Sequence, residues 1–395
     1  MPETPHLGFG PSALPLRTSV GNAWVVASVE DVPPHLRGAA FASSCRDFRY
    51  YELLELTMGG QFEFRYFVFH DPATDAWAVQ PLFFVDQDLL GGLPKRIKTL
   101  FAGVRKYWPG FLKLRMLTIG CATSEGELDR DRPWVAQALH EAIEAYRHEA
   151  RAAIILLKDF PARYRTTLAN FSRNGYERAP SMPGARLELN FADFEEYMMA
   201  RLSKVYRKNF RRKLRASKGG SPITMEVRQD ATDIVEEIYP LYLQTYERSD
   251  FSFEKLTMEY FTLVGQRLPD RVRYFIWRQN DRIIAFNLCM VHEAILYDLG
   301  LGMDYPRALE LSMYFVTWHD VIQWALRNGI KTYYTGPLNY DPKLHLKLAL
   351  APLDLYARYN WDLLNPIFKL AIKYLEPTRH DPALKKFANA RELRG

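Results

Sequence analysis

The chain has 395 residues, which exceeds one ordinary hydrophobic core and predicts two domains. Hydrophobic residues at 48% and charged residues at 25% are typical of a globular protein and exclude a disordered or fibrous chain. The net charge of +6 is unevenly distributed, because residues 95–115 hold seven Lys or Arg and residues 201–218 hold nine, with no acidic residue in either segment. These basic segments predict anionic partners, namely cofactor phosphates, a nucleic acid or lipid headgroups.

The cysteines and histidines predict no metal site. Cys45, Cys121 and Cys289 lack CxxC spacing, and no histidine lies at metal-ligand spacing from another histidine or cysteine. The sequence begins without a basic region followed by an apolar core, and no apolar run approaches the ~20 residues that cross a bilayer. We therefore expect a cytoplasmic protein with reduced thiols, and attachment to the inner face of the membrane stays open.

The first half of the chain begins with a Pro-rich lead-in, and its hydrophobic periodicity then predicts alternating helices and strands. These elements are a helix over 47–58, strands over 62–69, 77–85 and 114–119, a helix over 133–150 and a strand over 152–157.

Between two of those strands, residues 94–108 predict a helix with apolar side chains at three- and four-residue spacing and only Lys and Arg around them. Such a helix is typical of one that lies in the headgroup layer of an anionic membrane. An anionic membrane surface is therefore a predicted partner through residues 94–115. A surface helix packed on its own domain is the alternative.

The second half repeats the order of strand, strand, strand, helix, strand. Its elements are strands over 271–278, 283–291 and 295–302, a helix over 308–328 and a strand over 331–335. The repetition predicts an α/β fold of the α+β type with mixed sheets, divided into domains 1–180 and 181–395. The second domain includes a basic connecting helix over 191–218, read as one long helix or two, and an amphipathic C-terminal helix within 361–375. This last helix either covers a core or contacts the same membrane.

The helix over 308–328 begins beside the ends of two predicted strands. The first N–H groups of a helix are unpaired and carry a partial positive charge. Such a helix start can hold a pyrophosphate or a carbonyl oxygen.

Three segments of the second half carry a resemblance to a known family: residues 202–215, 312–329 and 333–346. Together with the repeated architecture, they resemble the GNAT acyltransferase superfamily, and within it the double-GNAT branch of Fem-type peptidoglycan bridge-forming transferases and acyl-CoA-dependent N-acyltransferases. The resemblance implies two tandem GNAT-like domains and an amide-forming acyltransferase that uses acyl-CoA as donor substrate and no metal.

The predicted donor site departs from the usual GNAT pattern. Common GNAT enzymes bind the pyrophosphate of CoA through an Arg/Gln-x-x-Gly-x-Gly/Ala turn, whereas residues 299–307 keep two glycines and an arginine at altered spacing. The donor is therefore an acyl-CoA, another carrier thioester or an aminoacyl-tRNA. The predicted cofactor-binding residues are Gly300, Gly302, Arg307, Ser312, Arg211 and Arg212.

The predicted catalytic residues follow the last strand of the repeat. Asn339 can donate to a carbonyl oxygen, Tyr340 can supply a proton, Lys343 can stabilise an oxyanion or bind phosphate, and His345 can accept a proton. An ordinary solvated turn is the alternative.

Three carboxylates are further base candidates. Glu125, in the first half, is either a catalytic base or the cap of the helix that follows. Glu293 and Asp298 are second-line candidates, and an exposed hairpin position is the alternative for Glu293.

These features predict an N-acyltransferase that moves an acyl group to an amine entering between the halves. The two amphipathic basic segments favour a lipidic or long-chain amine at the membrane face, as in ceramide-synthase-like amide formation. The second hypothesis is an aminoacyl-tRNA-dependent Fem-like transferase acting on a peptidoglycan precursor or small peptide. The third hypothesis is a catalytically inactive membrane scaffold. Nucleic acid is not expected otherwise, because only Tyr206 and Phe210 accompany the basic residues of 201–218.

Overall fold

A computed structural model describes residues 9, 12–88, 103, 105–107, 113–248 and 253–395. The chain divides into two compact units. Unit 1 comprises Met1–Ser181, Leu353–Arg379 and Arg394, and unit 2 comprises Met182–Pro352, His380–Leu393 and Gly395. The helix predicted over 94–108 lies outside the described residues, apart from helical backbone at 103 and 105–107.

Strands make up two sheets. They are β1 (Leu14–Arg17), β2 (Asn22–Val26), β3 (Glu63–Asp71), β4 (Ala76–Asp88), β5 (Lys113–Ile119), β6 (Ile154–Pro161), β7 (Glu177–Pro180), β8 (Gly184–Glu188), β9 (Ile223–Arg228), β10 (Val272–Gln279), β11 (Arg282–His292), β12 (Ile295–Met303), β13 (Thr332–Thr335), β14 (Ala349–Ala351) and β15 (Leu353–Tyr359).

The longer helical elements of the described chain alternate with these strands. They are α1 (Pro34–Arg37), α2 (Phe48–Met58), α3 (Pro133–Tyr146), α4 (Ala169–Arg173), α5 (Phe194–Arg201), α6 (Lys204–Ala216), α7 (Val235–Tyr246), α8 (Met258–Arg267), α9 (Tyr305–Glu310), α10 (Met313–Arg327), α11 (Tyr340–His345) and α12 (Asn365–Leu375). None of the helices in the described part of the chain combines the length and apolar character that crossing a bilayer requires.

Unit 1 is built on a sheet of order β1-β2-β3-β4-β5-β6-β15-β7. Only β5 and β6 pair in parallel within it, from Met116 opposite Ile154 to Ile119 opposite Leu157. Helix α3 makes the crossover and buries Leu139 and Ile143 against the sheet. Each large apolar side chain buried in this way contributes roughly 1.5–3 kcal/mol.

Unit 2 repeats this plan with a sheet of order β14-β8-β13-β12-β11-β10-β9. Its one parallel pair is β12 with β13, and α10 makes the crossover. The fully buried Trp277 of β10 donates from Nε1 to Asp320 of α10 at 2.9 Å, which fixes the helix on the sheet. The predicted duplication of strand, strand, strand, helix, strand is therefore confirmed.

One predicted helix was wrong. The helix over 308–328 is two helices, because Ser312 between α9 and α10 has a left-handed backbone with φ 55°. The basic segment 191–218, predicted as one long helix or two, is two helices, and Ser203 accepts from the N–H of Tyr206 as the cap of the second.

The compact units differ from the predicted domains in one segment, because residues 353–379 group with unit 1 and were predicted in the domain over 181–395. Strand β15 lies between β6 and β7. Its Asp354, only 1% exposed, accepts from Arg165 Nε at 2.6 Å and from Arg178 Nη1 at 2.9 Å. A buried carboxylate held by two guanidinium groups ties the returning strand to unit 1.

Replacing Asp354 by Ala should lower the free energy of unfolding by about 3–5 kcal/mol, because two partly buried cations lose their counter-charge. Chemical denaturation of the full chain measures it. The control is Asp362→Ala, whose side chain is 70% exposed, and its loss should be much smaller. Equal losses for the two variants would contradict the role given to Asp354.

Candidate active site

The candidate site lies where the parallel strands β12 and β13 part. Their pairing runs from Ile295 opposite Thr332 to Asp298 opposite Thr335, and β12 then continues to Met303 while β13 ends. On the other edge of β12, Leu288 pairs with Gly300 and Cys289 with Asp298, so Leu299 is an extra residue that makes a β-bulge. The carboxyl ends of parallel strands are where α/β sheets usually bind ligands.

Asp298 occupies the last paired position before this divergence. The Tyr333 hydroxyl donates a hydrogen bond to its carboxylate, and the side chain of Asn287 is hydrogen-bonded to it as well. Burial raises the pKa of Asp298 above its usual range, although both hydrogen bonds and the nearby Lys343 act in the opposite direction. A carboxylate with a raised pKa is suited to take up and release a proton.

Lys343 approaches from the short helix α11. Its Nζ donates to the carbonyl oxygens of Gly336 at 2.5 Å and Pro337 at 3.4 Å. Burial lowers the pKa of Lys343 to about 8, and Asp298 opposes that shift. The site therefore brings together Asp298 and Lys343, whose pKa values are both shifted in the direction that favours the neutral form.

The turn that carries Lys343 is strained. Leu338 and Asn339 have successive left-handed backbones, with φ 71° and 52°. This conformation costs roughly 1–2 kcal/mol for a residue with a side chain, and such strain concentrates at functional sites. Asn339 is exposed, and its side chain does not cap α11.

The other two predicted catalytic residues have packing contacts instead. Tyr340 is 2% exposed, donates its hydroxyl to the carbonyl oxygen of Pro183 at 2.8 Å and contacts Phe387. His345 is exposed and stacks on Tyr206, with ring centroids 5.4 Å apart. These contacts favour structural roles over the predicted proton transfers.

The start of α10 lies near Asp298. Tyr314, the second residue of that helix, has a raised pKa because of burial, with Asp298 among the groups that add to the effect. Ser312 precedes the helix and is buried, and its side chain makes no capping hydrogen bond. A 15-residue helix that begins in this way offers N–H groups and a positive dipole end to an anion.

Comparison with known families identifies this region. Residues 204–344 match the family model described as an acetyltransferase (GNAT) domain. This segment is an acetyltransferase (GNAT) domain. That segment contains Asp298, the start of α10 and Lys343.

Solved structures are similar over a longer part of the chain. FemX is similar over 82% of this chain and 92% of its own, at 12% identity and a TM-score of 0.50. Two other solved structures have lower TM-scores. The C-terminal domain of a protein described as a lysylphosphatidylglycerol synthetase from Agrobacterium fabrum is 14% identical, is similar over 86% of this chain and 95% of its own, and has a TM-score of 0.49. A tandem GNAT protein from the clavulanic acid biosynthesis pathway is 9% identical, is similar over 80% of this chain and 88% of its own, and has a TM-score of 0.45. No curated protein matches. The likeness to FemX shows the fold alone, that of two tandem GNAT-like domains.

The predicted cofactor residues of the GNAT domain fall into two groups. Gly300, Arg307 and Ser312 lie on β12, on α9 and before α10, within the turn from strand to helix. Arg211 and Arg212 do not lie at the start of α10. Arg211 pairs with Glu195 and lines a cavity of about 520 Å³ with His319, Gln323 and Arg327, beside the later part of α10. Arg212 is exposed and bonds to Asn209 on its own helix.

Glu125 lies in unit 1, in the loop that follows β5. The cap of α3 is Arg132, so Glu125 is not a cap. Burial raises the pKa of Glu125 to about 7, with the buried guanidinium of Arg46 opposing and Asp159 adding to the rise. Its neighbour Glu127 accepts from the Ser44 hydroxyl at 2.6 Å. The raised pKa of Glu125 is that expected of a base, but Glu125 belongs to unit 1 and the GNAT domain lies in unit 2.

Three residues that surround Asp298 or Glu125 were not predicted from the sequence. Asn287 interrupts the apolar run of β11, and a single polar residue in a buried strand was the available signal. Tyr333 alternates with more exposed neighbours on β13, which was a weaker signal. Arg46 lies in an irregular segment without such a pattern. Among the described residues, no group of three His, Cys, Asp or Glu side chains is suited to hold a metal.

The two glycines of β12 should respond differently to substitution. A Cβ on Gly302 would lie 2.2 Å from Phe286 Cε1 and 2.8 Å from Tyr242 N, whereas a Cβ on Gly300 would meet nothing within 4 Å. Gly302→Ala should therefore lower the free energy of unfolding by about 1–3 kcal/mol, since α7 packs closely on the strand. Gly300→Ala is the matched control, with a change within about 0.5 kcal/mol in a denaturant titration. A larger loss for Gly300→Ala would contradict this division.

Proposed function

We propose that the protein is an N-acyltransferase that moves an acyl group from an acyl-CoA or carrier thioester to the amine of a lipidic or long-chain acceptor. The observation that carries the proposal is the juxtaposition of Asp298, Lys343 and the uncapped start of α10 within a GNAT domain. Transfer of an acyl group to an amine needs a base, an oxyanion stabiliser and a place for the anionic carrier. The three features supply one each.

In the proposed reaction, the amine nitrogen attacks the thioester carbonyl carbon, and a C–N bond forms. Asp298 accepts the proton that the nitrogen loses, and Tyr333 and Asn287 hold the carboxylate in place. The Lys343 ammonium and the Asn339 amide stabilise the oxyanion. The C–S bond then breaks, and the thiolate takes up the proton from Asp298. No covalent enzyme intermediate is required.

The carrier would be held at the start of α10. The N–H groups of the first turn bind phosphate oxygens, and Gly300 leaves room for the carrier to approach the β12 backbone. Arg307 of α9 is a half-buried cation in the same turn.

The lipidic acceptor is proposed from two segments that combine apolar residues with lysine or arginine and contain no acid, residues 94–115 and helix α12. A sphingoid-like base giving a ceramide-like amide fits this description. Contact of 94–115 with an anionic membrane and a place on the inner face of the membrane stay predictions.

Transfer from an aminoacyl-tRNA is the second candidate, and α6 is where a tRNA would bind. The exposed side of α6 carries Lys208, Arg211 and Arg212, but its aromatic residues face inward, with Phe210 fully buried and Tyr206 stacked on His345. No aromatic side chain of this helix is available to stack on a base. The geometry of α6 therefore favours the thioester donor.

Neutralising Asp298 should abolish most of the transfer activity. Asp298→Asn should lower kcat by about 10²–10⁴-fold, because proton removal from the amine loses its base. Release of free thiol from an acyl-CoA measures the rate. The control is Glu293→Gln, which neutralises an exposed carboxylate at the far end of β12 and should leave the rate unchanged. Loss of activity in Glu293→Gln alone would transfer the role of base to Glu293.

The pH profile should have two limbs. Activity should fall at low pH as Asp298 is protonated, at a pH above the usual aspartate value of 3.8, because its pKa is raised. It should also fall as pH rises through about 8, because Lys343 loses the proton that stabilises the oxyanion. Lys343→Arg, which stays charged, should move the upper limb to higher pH. A profile that rises through pH 8 would make Lys343 the base instead.

Donor binding can be tested by thermal shift with acyl-CoAs of different chain lengths. We expect one preferred length to raise Tm, and Ser312→Asp to remove the shift, because a carboxylate at the start of α10 repels the carrier phosphates. Ser203→Asp is the matched control at the start of α6 and should keep the shift. Loss of the shift only in Ser203→Asp would place the donor on α6. Activity destroyed by ribonuclease would favour aminoacyl-tRNA.

A further inference from the structure

Helix α12 is attached to unit 1 by a side that combines polar residues with one aromatic residue. Asn365 donates to the carbonyl oxygen of Gly175 at 2.8 Å and accepts from the N–H of Tyr359 at 3.0 Å. Phe368 contacts Tyr359, with ring centroids 5.7 Å apart. Lys369 and Lys373, one turn apart, both reach the Glu177 carboxylate of β7, at 3.9 and 3.4 Å. Lys369 therefore lies against the protein, and Lys373 lies at the rim.

Several large apolar side chains of α12 and of the turn before it face outward. The outer face of α12, defined here as five side chains each at least 65% exposed, consists of Trp361, Leu363, Ile367, Leu370 and Tyr374. Trp361 and Leu363 lie just before the helix, and Ile367, Leu370 and Tyr374 recur at spacings of three and four residues, which places them on one side of it. Surface helices normally turn such a side towards the core. The contacts of Asn365, Phe368 and Lys369 with unit 1 leave it exposed instead.

We propose that the outer face of α12 inserts into the headgroup layer of an anionic lipid bilayer. Trp361 and Tyr374 stand at its two ends, and amphipathic aromatic rings of this kind favour the boundary between lipid and water. Helix α12 contains no acidic residue, and the preceding Asp362 is held by Arg358 at 2.6 Å. Lys373 is 58% exposed at the rim, where its ammonium can reach a lipid phosphate.

The size of the outer face also favours a bilayer over a second copy of the chain. An 11-residue helix is ~16 Å long and ~10 Å wide, so it covers a few hundred Å² at most. A stable dimer interface buries about 800 Å² on each partner. A bilayer needs no complementary protein surface, and an apolar helix side with flanking cations is sufficient for binding.

Vesicle sedimentation of the full chain tests the proposal. The protein should bind vesicles of phosphatidylcholine with phosphatidylglycerol and bind phosphatidylcholine alone more weakly. Ile367→Ser combined with Leu370→Ser should weaken binding by about tenfold or more, since two inserted side chains lose their apolar surface. Leu56→Ser combined with Val205→Ser, at 54% and 81% exposure on α2 and α6, is the matched control and should bind as the wild type does.

Three results separate this proposal from its competitors. Unchanged vesicle binding by the Ile367/Leu370 variant would overturn the proposal. If that variant binds vesicles normally but no longer self-associates in light scattering, a second copy of the chain would be the partner of the outer face. Loss of binding only on exchange of Phe101 and Trp108 for Ser would assign the contact to residues 94–115. Transfer to a short water-soluble amine should be unaffected in the variant, so failure of this proposal is distinguishable from failure of the proposed reaction.

Discussion

Two strands that pair in parallel cannot be joined by a tight turn, and this constraint positions the whole candidate site. From the end of β12 the chain must cross the sheet and return to the start of β13, and α9 and α10 make that crossing. The start of α10 is thereby brought to the end where the two strands part. The bulge at Leu299 and the end of pairing at Asp298 lie at this same end of β12. The proposed donor site and the proposed base therefore follow from one topological requirement.

The same requirement is met in unit 1, yet the chemistry there is different. In unit 2 a carboxylic acid lies near a lysine, and burial displaces the pKa values of both towards their neutral forms. In unit 1 Glu125 lies near Arg46, whose guanidinium does not release its proton in a protein. The two units therefore differ in the chemistry of their buried charged groups although their architecture is duplicated.

The sequence predicted the repeated order of elements because each unit buries one face of its helices and nearly all of its central strands, and burial leaves a periodic signal. The strands over 283–291 and 295–302 were confirmed almost to the residue. The break at Ser312 was not predicted, because one left-handed residue interrupts a helix without interrupting the apolar pattern. Tyr340 and His345 were predicted from their place after the last strand of the repeat, but their contacts with Pro183, Phe387 and Tyr206 come from distant parts of the sequence. Asp298, Tyr333 and Asn287 meet only through strand pairing over long sequence separations.

Helix α12 shows the limit of periodicity most clearly. The pattern over 361–375 correctly predicts an amphipathic helix, but a hydrophobic stripe does not state which side faces the protein. Burial of the apolar stripe is the usual outcome because water opposes its exposure. Here two lysines converge on one carboxylate of β7, and Asn365 bonds two backbone groups of the adjacent segments. Polar contacts of this kind depend on where Glu177 and Gly175 lie in the folded unit, which no local window of sequence contains. An apolar stripe that stays exposed on a folded protein is typical of an interaction surface, and this is the physical reason for proposing a lipid surface as its partner.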